Sequence, residues 1–186
     1  VRHLWQNIND DEYTEHETEE KHGATGSQTA ATANTYTGFT AQTIVQQKIA
    51  ADGTTVVEVK YDRKTYLIAF VSEGQTLKSE TLRYGATPVA PADPTKDADA
   101  QYTYTFAGWN QEITTVTGAT TYVAQWNTTV NEYKITWKNE DGSVIDYTTV
   151  AYGVVPTHAD ATKAADAEYT YTFAGWSPEV ASVTGD

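Results

Sequence analysis

Apolar and polar residues alternate with period two along most of this chain, the signature of strands that bury one face. Tyr66, Ile68 and Phe70 share one face of a predicted strand, and Tyr133, Ile135 and Trp137 do the same further on. The opposite positions are Leu67, Ala69 and Val71 in the first segment but Lys134, Thr136 and Lys138 in the second. Only the first face is apolar in both, so that face is predicted to meet the core. A second strand ends at Leu82-Arg83-Tyr84 or Val150-Ala151-Tyr152, stopped by Gly85 or Gly153. A third points Tyr102, Tyr104 and Phe106 inward and Thr103 and Thr105 outward. A fourth turns Tyr122, Ala124 and Trp126 inward. Near the start of the chain, a closing strand is predicted over Thr55–Tyr61, with Val57, Val59 and Tyr61 inward.

The pattern repeats. The block Tyr102-Thr103-Tyr104-Thr105-Phe106-Ala107-Gly108-Trp109 recurs unchanged as Tyr169–Trp176. Tyr84-Gly85 matches Tyr152-Gly153, and Val116-Thr117-Gly118 matches Val183-Thr184-Gly185. In the diverged first part, Tyr36-Thr37-Gly38-Phe39 takes the place of the aromatic block. The chain therefore divides into three modules, 1–63, 64–131 and 132–186. The joints at 62–64 and 127–131 carry no Gly/Ser or Pro-rich spacer, so closely spaced modules in an elongated rod are expected.

Between the second and third strands, module 2 is Pro-rich (Pro88, Pro91, Pro94), and Asp93-Pro94 reads as a helix N-cap followed by proline. Residues 161–168 leave room for one or two helical turns in module 3. The expected fold class is mainly β, α+β at most. It consists of tandem small β-grasp-like modules, each a four-stranded mixed sheet with a crossing segment or short helix. In that topology the last strand is interior, parallel to the first and between strands one and three. Module 3 stops short of an equivalent of Thr120–Trp126, so it is expected to lack its last strand and to be the least stable. The natural chain is expected to continue for at least seven more residues, and to begin before Val1.

Modules 2 and 3 resemble the Listeria–Bacteroides repeat, the internalin-type B-repeat family. The carriers are Tyr84-Gly85 and Tyr152-Gly153, the Tyr-Thr-Phe-Ala-Gly-Trp block, and the closing Tyr122-Val123-Ala124-Gln125-Trp126. Module 1 is similar to the related mucin-binding-protein-like module through Val1-Arg2-His3, Gly23–Gly26, Tyr36–Phe39 and Val56–Arg63. The resemblance implies a β-grasp-like fold within large repetitive bacterial cell-surface or secreted proteins, and it carries over no catalytic residue.

Composition narrows the chemistry. The 186 residues hold 12 Lys+Arg against 25 Asp+Glu, a formal net charge of −13. Phosphate-binding surfaces need clustered cations, so nucleic acid is not an expected partner. Neither is an anionic lipid surface, and no run of 18 apolar residues supports membrane insertion. There is no cysteine, hence no disulfide framework or thiolate site. Tyr (13) outnumbers Phe (4), and sulfur is absent altogether, a profile that suits an exposed β-protein.

Enzyme readings find little support. His3, His16, His22 and His158 lack the spacing of common zinc motifs, so no metal, cofactor or catalytic residue is expected. There is neither a Gly-x-Ser-x-Gly elbow nor a P-loop. Asn139-Glu140-Asp141-Gly142 reads as a hairpin turn rather than a calcium loop. Trp109 and Trp176 follow glycines that suit a bulge. They are candidates to stack on a sugar, against the alternative that they pack in a core. Glu12, Glu15, Glu17, Glu19 and Glu20 form an acidic patch, read as a solvated face guarding a sheet edge. Lys60 points outward by parity, against a buried crosslink. The expected function is a non-catalytic stalk or spacer in an extracellular, cell-wall-attached or secreted adhesin-like protein, monomeric. The alternatives are a direct binding module for host glycan, mucin or surface protein, and an accessory region of a secreted glycan-degrading enzyme.

Overall fold

The computed structural model describes residues 1–185. It is mainly β, with ten strands and no helix among those residues: β1 (Arg2–Gln6), β2 (Tyr13–Thr18), β3 (Phe39–Ala41), β4 (Glu58–Arg63), β5 (Thr65–Ser72), β6 (Gln75–Arg83), β7 (Tyr102–Trp109), β8 (Thr120–Val130), β9 (Glu132–Lys138) and β10 (Val144–Ala151). The chain forms two compact units. One comprises Val1–Ala92 and Trp109–Ala124; the other comprises Asp93–Gly108 and the chain from Gln125 onward.

The first unit contains the sheet β2-β1-β4-β3. Its central pair is parallel, from Arg2 opposite Glu58 to Trp5 opposite Tyr61, and both flanking pairs are antiparallel. The closing strand starts at Glu58 rather than Thr55, yet Val57, Val59 and Tyr61 are all buried as the alternation requires. Phe39, Val59 and Tyr61 form the centre of its core, with Trp5, Tyr36 and Tyr84 packed against them.

The second sheet repeats the order as β6-β5-β8-β7. Within the first unit, β8 runs parallel to β5 from Ile68 opposite Thr120 to Val71 opposite Val123. The last strand is thus interior in both four-stranded sheets, next to the first. Glu73 and Gly74 both have positive φ (48° and 79°), the two-residue turn that suits the right-handed twist of a hairpin. Ile68, Phe70, Val116 and Tyr122 are the buried centre, and Leu67 on the opposite face is exposed.

The helical turns expected in the crossing segments do not form. In each segment an aspartate caps a turn instead. Asp99 Oδ1 accepts the backbone N–H groups of Gln101 and Tyr102, and Asp166 Oδ1 accepts those of Glu168 and Tyr169. Such side-chain bonds give the backbone an alternative to helix.

In the second unit, β9 and β10 make a two-stranded sheet joined by the Asn139–Gly142 turn, where Gly142 N–H donates to Asn139 O at 2.9 Å. Trp137 is buried and Ile135 half-buried, while Lys134, Thr136 and Lys138 are exposed, so the inward face is as expected. Tyr102, Tyr104 and Phe106 keep their predicted parity against exposed Thr103 and Thr105, but are half-buried rather than core residues. The Tyr104 hydroxyl donates to Asp99 at 2.6 Å and Lys96 lies over its ring at 4.1 Å. A polar crossing segment covers this ring where a deeper core was expected.

The identical block Tyr169–Trp176 is not a strand. The predicted third strand of module 3 is absent because β7 is held by β8 alone at the sheet edge, and no described strand fills the equivalent slot beside residues 169–176. The surrounding scaffold is nevertheless the same. Gly85 N–H donates to Val116 O and Val116 N–H to Ala86 O; Gly153 donates to Val183 O and Val183 to Val154 O.

Candidate functional site

Strand β1 continues the inward alternation through His3, and this histidine is fully buried. Its Nδ1 lies 2.7 Å from the Tyr61 hydroxyl, which also accepts the Asn34 backbone N–H at 2.8 Å. Its Nε2 is buried and has no hydrogen-bond partner. That is a costly arrangement for a polar atom removed from water.

Two carboxylates face this nitrogen. Glu17 is the cross-strand partner of His3 on β2, and Glu19 follows just beyond, with its N–H bonded to Val1 O. Glu19 Oε1 stands 3.8 Å from His3 Nε2. One ligand-type atom from each of His3, Glu17 and Glu19 lies within 4.8 Å of the others. The amide of Asn34 bridges the two acids, its Nδ2 at 2.6 Å from Glu17 Oε1 and 3.1 Å from Glu19 Oε1. Lys21 pairs with the far oxygen of Glu19 at 2.5 Å. The Lys21 hydrogen bond first, and the Asn34 amide after it, hold the Glu19 carboxyl below its ordinary value.

A β-bulge aims these groups. The β1–β2 register passes from His3 opposite Glu17 to Leu4 opposite Glu15, so His16 is the extra residue. Bulges re-aim side chains in this way. The His16 ring stacks on Trp5 at 3.4 Å, Glu17 sits beside His3, and Glu15 pairs with Arg2 at 3.3 Å. The five glutamates are therefore not one solvated face. Glu12, Glu15 and Glu20 are exposed, whereas Glu17 and Glu19 are half-buried. β2 is the sheet edge, as the edge-guard reading assumed.

The other candidates are placed as follows. Trp109 is half-buried and meets Phe70 edge-on at 5.0 Å. Trp176 lies 4.8 Å from Trp137 and 5.1 Å from Phe173, with His158 against both indoles. Both tryptophans follow glycines of positive φ, 106° at Gly108 and 125° at Gly175, yet both pack on aromatic neighbours. His22 is exposed and outside any strand. Lys60 lies over the Tyr13 ring at 5.1 Å. A groove beside Ile8, Thr65 and Leu82 has one charged lining residue, Arg83, already bonded to the carbonyls of Ile8 and Asp10.

No motif spacing marks the His3–Glu17–Glu19 cluster, because His3 lies on a different strand from Glu17, 14 residues before it. The available signal was a histidine on an otherwise apolar inward face, between Val1 and Trp5. No known protein-family model matches the chain, and no curated protein matches it either.

Proposed function

We propose that this chain is a run of non-catalytic spacer modules from an extracellular bacterial surface or secreted adhesin-like protein, of the β-grasp and B-repeat kind its motifs resemble. The observation that supports this reading most is a joint used twice without a linker. A single residue separates β4 from β5, and another separates β8 from β9. At the first joint, Lys64 N–H donates to Gly38 O and Lys64 O accepts from Tyr84 N–H. At the second, Asn131 N–H donates to Gln101 O and Asn131 O accepts from Tyr152 N–H. A backbone scheme of this kind fixes how one module leaves the next whatever the side chain, which is what a spacer requires.

Side chains add to the first joint. Arg63 donates to Gln6 O at 2.6 Å and Tyr84 O at 2.9 Å, and Arg83 pairs with Asp11. Trp109 is half-buried with its ring edge-on to Phe70, which favours a packing role over an open platform for glycan. No described helix is long and apolar enough to cross a membrane. The acidic surface suits repulsion between neighbouring molecules rather than capture of nucleic acid.

Spin labels at Thr43 and Thr76, one on each side of the first joint, test the proposal. A narrow distance distribution is expected; a broad one, as across a flexible linker, would overturn it. An extended array is part of the proposal and small-angle scattering checks it. Retention on mucin or glycan resins that is lost on Trp109→Ala would favour the binding alternative.

A further inference from the structure

The buried, unpartnered Nε2 of His3 faces two carboxylates across a gap wider than a hydrogen bond. We propose that His3, Glu17 and Glu19 bind one divalent ion of the zinc class. The assignment is independent of the spacer reading.

Three observations carry it. First, His3 Nε2 is fully buried without a donor or acceptor in reach, and its ring is held by the 2.7 Å contact between Nδ1 and Tyr61. A ligating histidine is oriented in this way, one nitrogen engaged by a neighbour and the other directed at the ion. Second, the His3–Glu19 separation fits, and Glu17 lies within 4.8 Å of both. Zinc sits about 2.0–2.2 Å from imidazole nitrogen and carboxylate oxygen, which puts two tetrahedral ligands roughly 3.4 Å apart. The 3.8 Å between Nε2 and Glu19 Oε1 differs by only a few tenths of an ångström. Third, Glu17 and Glu19 bring two carboxylates together, and Lys21, on the far oxygen of Glu19, is the cation paired there. Asn34 Nδ2 bridges the two acids as a neutral donor, so a divalent ion adds the missing positive charge and gives the orphaned nitrogen a partner.

The donor set selects the ion. One imidazole with two carboxylates suits zinc, cobalt or manganese, whereas calcium and magnesium take oxygen ligands. Three protein ligands leave a position for water. Such an ion ties the edge strand β2 to interior β1 where the bulge interrupts their pairing.

The test is zinc titration of the full chain against a chromophoric chelator, with calcium and magnesium in parallel. One saturable zinc site is expected. E17Q and E19Q, which keep the shape of each side chain, are expected to weaken it about tenfold or more. E15Q, H16Q and H22Q are expected to leave it unchanged. The 15N resonance of His3 Nε2 is expected to shift on zinc addition in a chain that stays folded, so the answer does not depend on a variant. The proposal is overturned if no zinc site saturates. It is equally overturned if the E17Q/E19Q double variant binds like the parent, if H16Q or H22Q abolishes binding, or if His3 Nε2 does not move.

Discussion

Phe70 and Tyr122 lie directly opposite each other on the parallel strands β5 and β8, with ring centroids 4.9 Å apart and planes within 17°. This stack lies among Ile68, Val116 and Trp109. Phe70 is fully buried, so Phe70→Ala is expected to cost about 3–5 kcal/mol, enough to unfold a small module. Leu67→Ala, on the exposed face of the same strand, is expected to change stability little. Thermal melts of the two variants check the assigned face.

Gly38 lies against the Tyr84 ring across the first joint. A Cβ there would lie 2.2–2.4 Å from three ring atoms of Tyr84, and the backbone φ is +81°. Gly53 also has positive φ (+74°), but nothing stands within 4 Å of its Cβ position. Both Gly→Ala changes carry the left-handed backbone penalty, about 1 kcal/mol. Gly38→Ala must also displace an aromatic ring. It is expected to lower the melting temperature more than Gly53→Ala and to shift the resonances of Tyr84 and Phe39.

Asp99 and Tyr104 set a pH window for the turn before β7. The Tyr104 hydroxyl first, then the Tyr102 and Gln101 amides, hold the Asp99 carboxyl below its ordinary 3.8. A lowered folded value means the contribution is present above 3.8 and lost as pH falls through the folded value. Asp99 in turn raises the Tyr104 phenol above 10.0, so the bond is lost again only in strong alkali. Asp166 and Tyr171 repeat the arrangement. NMR titration is expected to show both aspartates ionising below their ordinary 3.8; Tyr104→Phe should return Asp99 toward 3.8.

Tyr36 carries a raised phenol in the aromatic cluster around Tyr61. Burial chiefly, with the neighbouring Glu17, pushes its phenol up to about 12 against the partial opposition of Asn34. A raised folded value means the stabilisation is complete below 10.0 and lost as pH rises toward 12. Spectrophotometric titration is expected to show late-titrating tyrosines, with one fewer in Tyr36→Phe.

The two copies of the aromatic block differ in what lies beside them. Appending a copy of residues 120–126 to the end of the chain, after a short turn, is expected to convert residues 169–176 into a strand. Hydrogen exchange should then show amide protection there approaching that of β7. Unchanged exchange would mean that the neighbour is not what β7 depends on.

Much of the fold was legible from alternation. The inward faces at Ile68/Phe70, at Val57/Val59/Tyr61 and at Trp137, and the turns at Gly74 and Gly142, follow from local pattern and repeat, whereas the interior last strand was expected only from the β-grasp topology. A side chain's parity and a glycine's backbone freedom are properties of a few consecutive residues. Other outcomes depended on distant groups. No helical turn forms in the crossing segments, where Asp99 and Asp166 cap turns just ahead of Tyr102 and Tyr169. His3 met Glu17 and Glu19 only because β1 and β2 pair and a bulge at His16 resets their register. Tyr102–Trp109 is a strand and its exact copy Tyr169–Trp176 is not, because strand backbone bonds are completed by another strand. Sequence determines which face of a strand is apolar; whether the strand exists at all, and which polar groups meet beneath it, depends on the neighbour the tertiary structure supplies.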